Sequence, residues 1–415
     1  MFTQQLFALA LNIQEPWYVK DIQFDAEGKR LDIHIDFRKG SVFHYESADE
    51  DIKGDFKVYD TTTKQWRHLN FFEHECHLHA RVPRLDIADT IKRQVDPPWS
   101  GLSNGFTLLF EALMLELASH MPVHTVSQMI GESDHKVWAT IERYVGLALA
   151  DNDYSDLKVV GMDETSKCKG HDYITLFVDL IKKRTTFIAE GNDQKTVKAF
   201  TDDLKAHGGD PEAITDVSCD MWPAFIKGVE DNMSNANITF DRFHIAKVIN
   251  NAVDTVRKQE AKEHAVLKGT RYVFLKNEKN LTSKQREKRE ELSMSRLNLK
   301  SMKALHIREN FQEIYKMPTF ELFESMLKRW YFWATHSRIQ PIIEAARTIK
   351  AHWNGVLQWK RSHIDNGLLE GLNSLVQAAK AKARGFRTFR YFRIIVFLIT
   401  GRLDFAHLNK HCLPT

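Results

Sequence analysis

The order of apolar segments between Leu157 and Phe243 limits the fold of this chain more than any other feature. Three short apolar runs come first, joined by short turns, over residues 159–163, 173–180 and 185–190, and they predict an antiparallel meander. Alternating segments follow, with helices over 196–206 and 223–232, strands over 214–220 and 237–240, and a long helix from Phe243. Hairpins followed by βα units predict a mixed sheet flanked by helices.

This order of elements matches an RNase H-like core, and the rest of the chain is arranged around it. We therefore predict an α+β, multidomain protein. The predicted domains are a β-rich N-terminal domain over 1–98, a helical domain over 99–152, the first part of the core over 153–256, a basic helical insertion over 257–353, and the completion of the core over 354–415. In the N-terminal domain, residues 17–24 and 31–37 alternate with period two and predict a hairpin, and another extended stretch covers 68–84.

The helical domain contains a helix-turn-helix pattern. A short helix over 123–130 is followed by Gly131-Glu132-Ser133 and a longer helix over 134–150, and Ser133 is a typical N-cap residue. The residues expected to face a DNA groove are His135, Lys136, Thr140 and Arg143. Because most short helical hairpins bind no DNA, the pattern alone leaves a purely structural role open.

Positive charge is concentrated in two late segments, although the formal net charge is only +3. Residues 257–303 contain 14 Lys and Arg against 6 Glu, and residues 371–403 contain 7 Lys and Arg and no acidic residue. In the predicted late helix, the cations expected to contact DNA phosphates are Lys380, Lys382, Arg384 and Arg387. This distribution indicates a polyanionic partner, and a pair of solvated helix faces is the alternative.

Three carboxylates are the strongest chemical signal. Asp163 and Asp220 each end a predicted apolar strand, so neighbouring strands would present both at one edge of the sheet. Glu370 lies in the first turn of a helix predicted over 367–382, near the boundary of its apolar stripe. Oxygen ligands suit Mg²⁺ or Mn²⁺, and three carboxylates can hold two such ions for phosphodiester chemistry. For any one strand-end Asp, a capping or turn-forming role is the alternative.

A further pair of polar residues, Asp241 and His244, lies at the next strand-to-helix junction. We predict that both residues support the metal ligands without being ligands themselves. A structural role at the start of the helix is the alternative for His244. Metal-assisted phosphodiester chemistry needs no side-chain nucleophile, so the reaction does not require a Ser-His-Asp or Cys-His arrangement.

At these residues the sequence resembles the DDE transposases of bacterial insertion sequences, most closely the ISL-three family (ISL3). The resemblance covers about residues 55–405, and its motifs are Trp66-Arg67-His68-Leu69, Arg81-Val82-Pro83-Arg84, Asp163-Glu164-Thr165-Ser166, Lys169-Gly170-His171, Asp220-Met221, Asp241-Arg242-Phe243-His244, residues 366–373, and Gly385-Phe386-Arg387.

This resemblance implies an RNase H-like catalytic domain whose metal ligands are Asp163, Asp220 and Glu370, and a helix-turn-helix for the ends of the element. It also implies Mg²⁺-dependent cleavage at terminal inverted repeats and strand transfer to target DNA. Because two DNA ends are brought together, we expect a homodimer in the synaptic complex.

One feature of the family is missing from the sequence. Family members commonly carry an N-terminal zinc ribbon with CxxC pairs, but residues 42–47 and 85–89 contain no cysteine. The residues available as substitutes are His74, Cys76, His77 and His79. On a strand they would point alternately to opposite faces, so we predict that no zinc is bound there.

Composition and hydropathy exclude several classes of protein. The most apolar run, residues 106–117, contains Glu111 and Glu116, which argues against a membrane span, and the first residues lack a basic signal-peptide region. Four widely separated cysteines suit a reduced cytoplasmic protein, associated with the nucleoid during reaction. Two alternatives to the transposase remain open: a non-catalytic DNA-binding protein derived from a transposase, and a structure-specific nuclease on the RNase H-like fold.

Overall fold

The computed structural model of the 415-residue chain describes residues 2–47, 50–88, 91–103, 105–167, 173–364 and 367–409. The motif Lys169-Gly170-His171 and Asn366, the first residue of the 366–373 motif, lie outside the described residues, as does Cys168, one of the four cysteines.

The elements alternate between strand-rich and helix-rich stretches. The strands are β1 (Trp17–Asp25), β2 (Arg30–Phe37), β3 (Val42–Ser47), β4 (Ile52–Phe71), β5 (His74–Ala88), β6 (Ile91–Gln94), β7 (Val159–Ser166), β8 (Tyr173–Asp179), β9 (Arg184–Glu190), β10 (Asp216–Cys219) and β11 (Asn237–Phe240). The helices are α1 (Phe2–Ala10), α2 (Leu108–His120), α3 (Val123–Ile130), α4 (Asp134–Ala150), α5 (Gln194–Ala206), α6 (Pro223–Asn232), α7 (Arg242–Glu260), α8 (Arg271–Leu275), α9 (Ser283–Met294), α10 (Lys300–Ile314), α11 (Phe320–Thr335), α12 (Gln340–Ala351), α13 (Trp353–Ser362), α14 (Gly367–Lys382), α15 (Phe389–Thr400) and α16 (Ala406–Asn409). In the described part of the chain, no helix is long and apolar enough to cross a membrane.

The chain divides into two compact units. The first unit contains Met1–Asp151, Ala379–Ile399 and Leu403–Thr415, and the second contains Asn152–Ala378 and Thr400–Arg402. Residues 379–399 therefore group with the N-terminal part of the chain, whereas the predicted domains placed them with the core.

The first unit contains a sheet with the order β1-β2-β5-β4-β3, and β6 pairs with β5. The predicted hairpin is confirmed, since β1 and β2 pair in antiparallel fashion from Trp17 to Asp25. The single extended stretch predicted over 68–84 was wrong, because the chain reverses at Phe72, which has a φ of 53°. The result is two long antiparallel strands, β4 and β5.

Alternation on β5 separates the four residues considered for zinc. Cys76 faces the apolar core with Leu78, and burial raises the pKa of its thiol to about 12. His79 is on the other face, where its Nε2 lies 2.6 Å from Asp32 Oδ1.

Helices α3 and α4 confirm the predicted helix-turn-helix, and α2 precedes them. Gly131 ends α3 in the left-handed conformation, with a φ of 73°, and the Ser133 side chain accepts a hydrogen bond from Lys136 N at the start of α4. Glu111 of α2 is fully buried and accepts hydrogen bonds from the backbone N–H of Ser103 at 2.7 Å and from the Tyr144 hydroxyl at 2.6 Å. These bonds join the loop before α2 to α4.

The second unit contains a mixed sheet with the order β11-β10-β7-β8-β9. The predicted meander is confirmed, since β7, β8 and β9 are antiparallel neighbours. Strand β10 pairs in parallel with β7 and with β11, and α6 forms the crossover from β10 to β11. The predicted mixed sheet flanked by helices is therefore present.

The helical insertion shares a continuous core with this sheet. One cluster of buried apolar side chains includes Val217 of β10, Val253 of α7 and Phe311 of α10. The Trp330 indole N–H donates to the Ile307 backbone oxygen at 2.9 Å and links α11 to α10. The insertion is consequently packed on the sheet through α7.

Gly355 permits the close approach of α13 to β11. A Cβ atom at this position would lie 2.3 Å from the Phe240 ring and 3.2 Å from the Ile238 backbone oxygen. We expect Gly355→Ala to lower the free energy of unfolding by about 2–3 kcal/mol, because a buried ring and a strand must shift. Thermal and denaturant unfolding measure this change.

Gly371→Ala is the matched control, since a Cβ there has open space within α14. Its free energy of unfolding should rise by about 0.5–1 kcal/mol. Equal stability of Gly355→Ala and the wild type would contradict the close packing of α13 on β11.

Candidate active site

Asp163 and Asp220 lie on neighbouring parallel strands. In the register of β10 with β7, Ser218 pairs with Gly161, so the residues two positions further along, Asp220 and Asp163, lie at the same level. The prediction that Asp163 ends its strand was wrong, because β7 continues to Ser166 through its pairing with β8. Only β10 ends at this level, and its end leaves the Asp163 side chain beside Asp220.

Asp241 and His244 join Asp220 from the third parallel strand. Asp241 follows β11 and caps α7, accepting a hydrogen bond from Phe243 N at 2.9 Å. The His244 Nδ1 atom, one turn into α7, lies 2.9 Å from Asp241 Oδ2 and 2.6 Å from Asp220 Oδ1. The potential ligand atoms of Asp220, Asp241 and His244 all lie within 4.8 Å of one another.

This cluster differs from the predicted ligand set. Among the described residues, Asp220, Asp241 and His244 are the group of His, Cys, Asp and Glu side chains close enough to share an ion. Two of its members were predicted to be supporting residues. Asp163 is adjacent to the group, and its carboxylate interacts electrostatically with Asp220.

Helix α14 is joined to β7 by two amides. The Asn373 side-chain amide donates a hydrogen bond to Asp163 Oδ2, and the Gln377 amide donates to Thr165 Oγ1 at 2.6 Å. The apolar side of the helix packs through Leu369 near Gly161, where a Cβ would lie 2.9 Å from Leu369 Cδ1. Asn373 was part of a motif in the sequence, but its contact with Asp163 was not predicted.

Glu370 lies one helical turn before Asn373 and is exposed. Residues three apart in a helix are neighbours on its surface, so Glu370 projects from the side of α14 that contacts β7 through Asn373. Glu370 and Asp241 both line a cleft of about 760 Å³. Glu370 and Asn373 are three residues apart in the predicted helix. This spacing could have indicated from the sequence that the Asn373 side-chain amide lies on the same side of the helix as Glu370.

The charges in this site are strongly coupled. Burial raises the pKa of Asp163 to about 7, and the nearby Asp220 carboxylate acts in the same direction. Hydrogen bonds to Asp220 and then to Asp241 raise the pKa of His244 to about 10. Three carboxylates thus face a single imidazolium.

An excess of carboxylate oxygens fits a divalent cation. A buried acid with a raised pKa gains from a nearby positive charge, and hard oxygen ligands suit Mg²⁺ or Mn²⁺. Asp163, Asp220 and Asp241 supply such oxygens, and the exposed Glu370 lines the same cleft as Asp241. The residues present therefore fit a divalent metal centre.

The candidate DNA-contacting side of α4 is smaller than predicted. His135, Lys136 and Arg143 are exposed. Thr140 is fully buried, and its hydroxyl donates to Lys136 O at 3.0 Å. The prediction that Thr140 faces a groove was therefore wrong, because its hydroxyl bonds within its own helix.

The helix predicted over 367–382 is confirmed as α14, but Arg384 and Arg387, which were predicted to lie in the same late helix, lie beyond its end. Helix α14 ends at Lys382, and Arg384 and Gly385 have φ values of 55° and 96° before α15 begins. Lys382, Arg384 and Arg387 are exposed in this connection, and Lys380 is half-buried.

Helix α15 packs against α4 of the helix-turn-helix. The Arg390 guanidinium pairs with Glu142, and the Tyr391 and Trp138 rings lie with their centroids 4.2 Å apart. The basic segment and the helix-turn-helix therefore belong to one unit of the protein.

Comparison with known protein families gives two matches. A family model described as a transposase matches residues 160–396, which is more than half of the chain, and a model described as the helix-turn-helix domain of transposase family ISL3 matches residues 95–145. The first match contains Asp163, Asp220 and Glu370, and the second contains α2, α3 and most of α4.

Two curated proteins are similar over most of their length. The transposase for insertion sequence element IS1001 of Bordetella parapertussis is 25% identical over 345 residues, which cover 81% of this chain and 84% of the relative. The transposase for insertion sequence element IS1557 of Mycobacterium tuberculosis is 24% identical over 421 residues, which cover 92% of each chain.

Proposed function

The chain belongs to the ISL3 family of insertion-sequence transposases, and from that premise we propose that it binds terminal inverted repeats and catalyses metal-dependent DNA cleavage and strand transfer. The observation that carries the proposal is the meeting of Asp163 and Asp220 on neighbouring parallel strands beside α14. Carboxylates held on rigid strands are suited to phosphodiester chemistry assisted by two metal ions.

We assign the second unit an RNase H-like catalytic core. Support comes from its sheet, in which an antiparallel meander, β9-β8-β7, is extended by β10 and β11 parallel to β7. The central strand then carries the first acid, and its parallel neighbour ends at the second. Helix α14 supplies the third acid from outside the sheet.

The proposed metal ligands are Asp163, Asp220 and Glu370, with Mg²⁺ or Mn²⁺ as the ions. Such ions, when bound, supply Lewis-acid activation of the attacking hydroxyl and stabilise charge on the leaving oxygen. Asp241 and His244 orient the Asp220 carboxylate through the hydrogen bonds described above. The Asn373 amide orients Asp163 in the same way.

We propose that the helix-turn-helix and the late basic segment hold DNA together. His135, Lys136 and Arg143 are exposed on α4, and α15 packs on the same helix. Lys382, Arg384 and Arg387 would contact phosphates and fix the position of the duplex. Because two ends must be joined to one target, we propose that the protein acts as a homodimer on DNA, in the bacterial cytoplasm.

A DNA-processing assay tests this function directly. The substrate is duplex DNA containing the inverted repeat that flanks the gene, with and without Mg²⁺. Cleavage with transfer of the 3′ ends to a second DNA supports the transposase. Binding without cleavage would favour the non-catalytic DNA-binding protein, and cleavage without joining would favour the nuclease.

Arg143 gives a second prediction, which concerns DNA affinity. We expect Arg143→Ala to weaken inverted-repeat binding by about tenfold and to lower the slope of log affinity against log salt by about one, because one phosphate contact is lost. Lys198→Ala is the control, since Lys198 is an exposed cation on α5 that pairs with Asp202. Equal weakening by both variants would argue against α4 as the DNA-contacting helix.

A further inference from the structure

A cleft beside the candidate active site contains basic and aromatic side chains that the proposed chemistry does not use. Its volume is about 760 Å³, and its lining comes from α7, α10, α13 and the start of α14. Asp241 and Glu370 form part of this lining, as do Arg242 and Arg308. The cleft therefore adjoins two acids of the site and contains positive charge.

Arg308 is a buried cation that forms no ion pair with a carboxylate of the described residues. Its residue exposure is 2%, and its guanidinium donates to three neutral oxygens: Asn250 Oδ1 at 2.6 Å, Leu275 O at 2.8 Å and Asn277 Oδ1 at 3.1 Å. No described residue accepts a hydrogen bond from its Nη1 atom.

The acidic residue next to Arg308 in the chain, Glu309, is already paired with Arg289. A buried guanidinium without a carboxylate is costly unless an anion compensates it. The positive charge of Arg308 is therefore not compensated by a described carboxylate, and an anion bound in the cleft would compensate it.

Tyr315 provides a second unpartnered donor in the same cleft. The residue is 6% exposed, and its hydroxyl has no hydrogen-bond partner among the described residues. The Arg242 guanidinium lies over the Tyr315 ring at 4.7 Å and over the Trp359 ring at 5.9 Å. Positive charge and aromatic surface therefore occur together here.

We propose that Arg308 and Tyr315 form a phosphate-binding subsite for an unpaired nucleotide of the DNA substrate. The proposal rests on the proposed function, because it places DNA next to Asp241 and Glu370. The phosphate accepts hydrogen bonds from Arg308 Nη1 and from the Tyr315 hydroxyl. The attached base packs on the aromatic side chains that line the cleft, among them Trp359.

The size and chemistry of the cleft favour a nucleotide over other anions. Clefts of about 300–1,000 Å³ enclose one drug-sized ligand, which matches a nucleotide and is far too small for a double helix. An anionic group joined to a flat base uses both the guanidinium and the aromatic side chains. A simple carboxylate has no flat ring and would leave these aromatic side chains without a contact.

Two variants of the full-length protein test the subsite. Tyr315→Phe removes a hydroxyl that makes no hydrogen bond with the described residues, so the melting temperature should be unchanged or higher. Arg308→Gln removes the charge and retains an amide donor. Tyr272→Phe is the control, because Tyr272 is an exposed tyrosine of the insertion that does not line the cleft.

The measurement is fluorescence anisotropy with a short labelled oligothymidylate over a range of salt concentrations. We expect Tyr315→Phe to weaken binding by about tenfold and Arg308→Gln by about a hundredfold. The slope of log affinity against log salt should fall by about 0.7 for Arg308→Gln and stay constant for Tyr315→Phe, since only the arginine neutralises a phosphate. Competition by deoxythymidine monophosphate but not by inorganic phosphate at equal concentration would show that the base contributes.

Wild-type affinity in both cleft variants would overturn the proposal, and so would an equal loss in Tyr272→Phe. Equal competition by inorganic phosphate would overturn the nucleotide assignment. These outcomes differ from a failure of the proposed function, which appears as absent inverted-repeat cleavage by the wild type whatever the cleft variants bind.

Discussion

We expect Asp163→Asn to lower inverted-repeat cleavage and strand transfer by about a thousandfold, which corresponds to about 4 kcal/mol of lost transition-state stabilisation. The amide is nearly isosteric, and its oxygen can still accept the hydrogen bond from Asn373. Inverted-repeat binding should remain, because we propose that it depends on the helix-turn-helix of the other unit. Cleavage kinetics and an electrophoretic mobility assay separate the two effects.

The same variant should be more stable than the wild type at high pH when divalent ions are chelated. The pKa of Asp163 is raised from an ordinary value near 4 to about 7 in the folded protein. Folding therefore favours the protonated acid, and the resulting stability is complete below about pH 4 and is lost as the pH rises through 7. Asparagine does not titrate and therefore removes this loss. The difference in free energy of unfolding between Asp163→Asn and the wild type should therefore favour the variant by roughly 1–4 kcal/mol more at pH 8 than at pH 4.

Asp202→Asn is the control for this stability effect, because Asp202 is exposed on α5 and pairs with Lys198. It should show no such gain. A pH-independent difference between Asp163→Asn and the wild type would contradict the buried, acid-flanked position of Asp163. Full cleavage activity in Asp163→Asn would reject this residue as a ligand.

We expect Glu370→Gln to cause a loss of cleavage of similar size, about a thousandfold, with little change in stability. Glu370 is exposed, and surface substitutions usually change the free energy of unfolding by less than about 0.5 kcal/mol. A large loss of activity without a loss of stability would therefore indicate a chemical role for the carboxylate. Cleavage rates and thermal unfolding of the purified variant provide both quantities.

Ser374→Ala is the matched control, since Ser374 is an exposed residue on the next turn of α14. It should cleave the inverted repeat at the wild-type rate. The competing assignment uses Asp241 as the third ligand, because Asp241 already lies with Asp220 and His244. Activity retained in Glu370→Gln but lost in Asp241→Asn would select that assignment.

Local patterns predicted the elements of the second sheet because they depend on neighbouring residues. The meander β7-β8-β9 and the helix α6 follow from runs of apolar residues and short turns, and the structure contains them at nearly the predicted bounds. The end of β7 was less accessible to sequence reasoning. Pairing with β8 extends the strand to Ser166, and that pairing joins residues that are seven or more positions apart in the chain.

Errors in the candidate DNA-binding residues have a similar origin. Helical spacing placed Thr140 with His135 and Lys136, but the width of the buried side of α4 depends on what packs against it. Arg384 and Arg387 were placed with Lys380 and Lys382 in one late helix. The left-handed residues Arg384 and Gly385 divide it, and α15 then packs on α4 through Tyr391.

The sequence by itself determined the family, the helix-turn-helix and the presence of acids at the ends of apolar segments, since motifs and hydrophobic periodicity are local properties. Only the tertiary structure decided which of these groups meet. Asn373 contacts Asp163 although the two residues are 210 positions apart in the chain, and His244 lies between Asp220 and Asp241 because the ends of the parallel strands β10 and β11 come together. The Arg308 Nη1 atom, from which no described residue accepts a hydrogen bond, is likewise a consequence of burial, which depends on the packing of the insertion on α7 and is not encoded in any short segment.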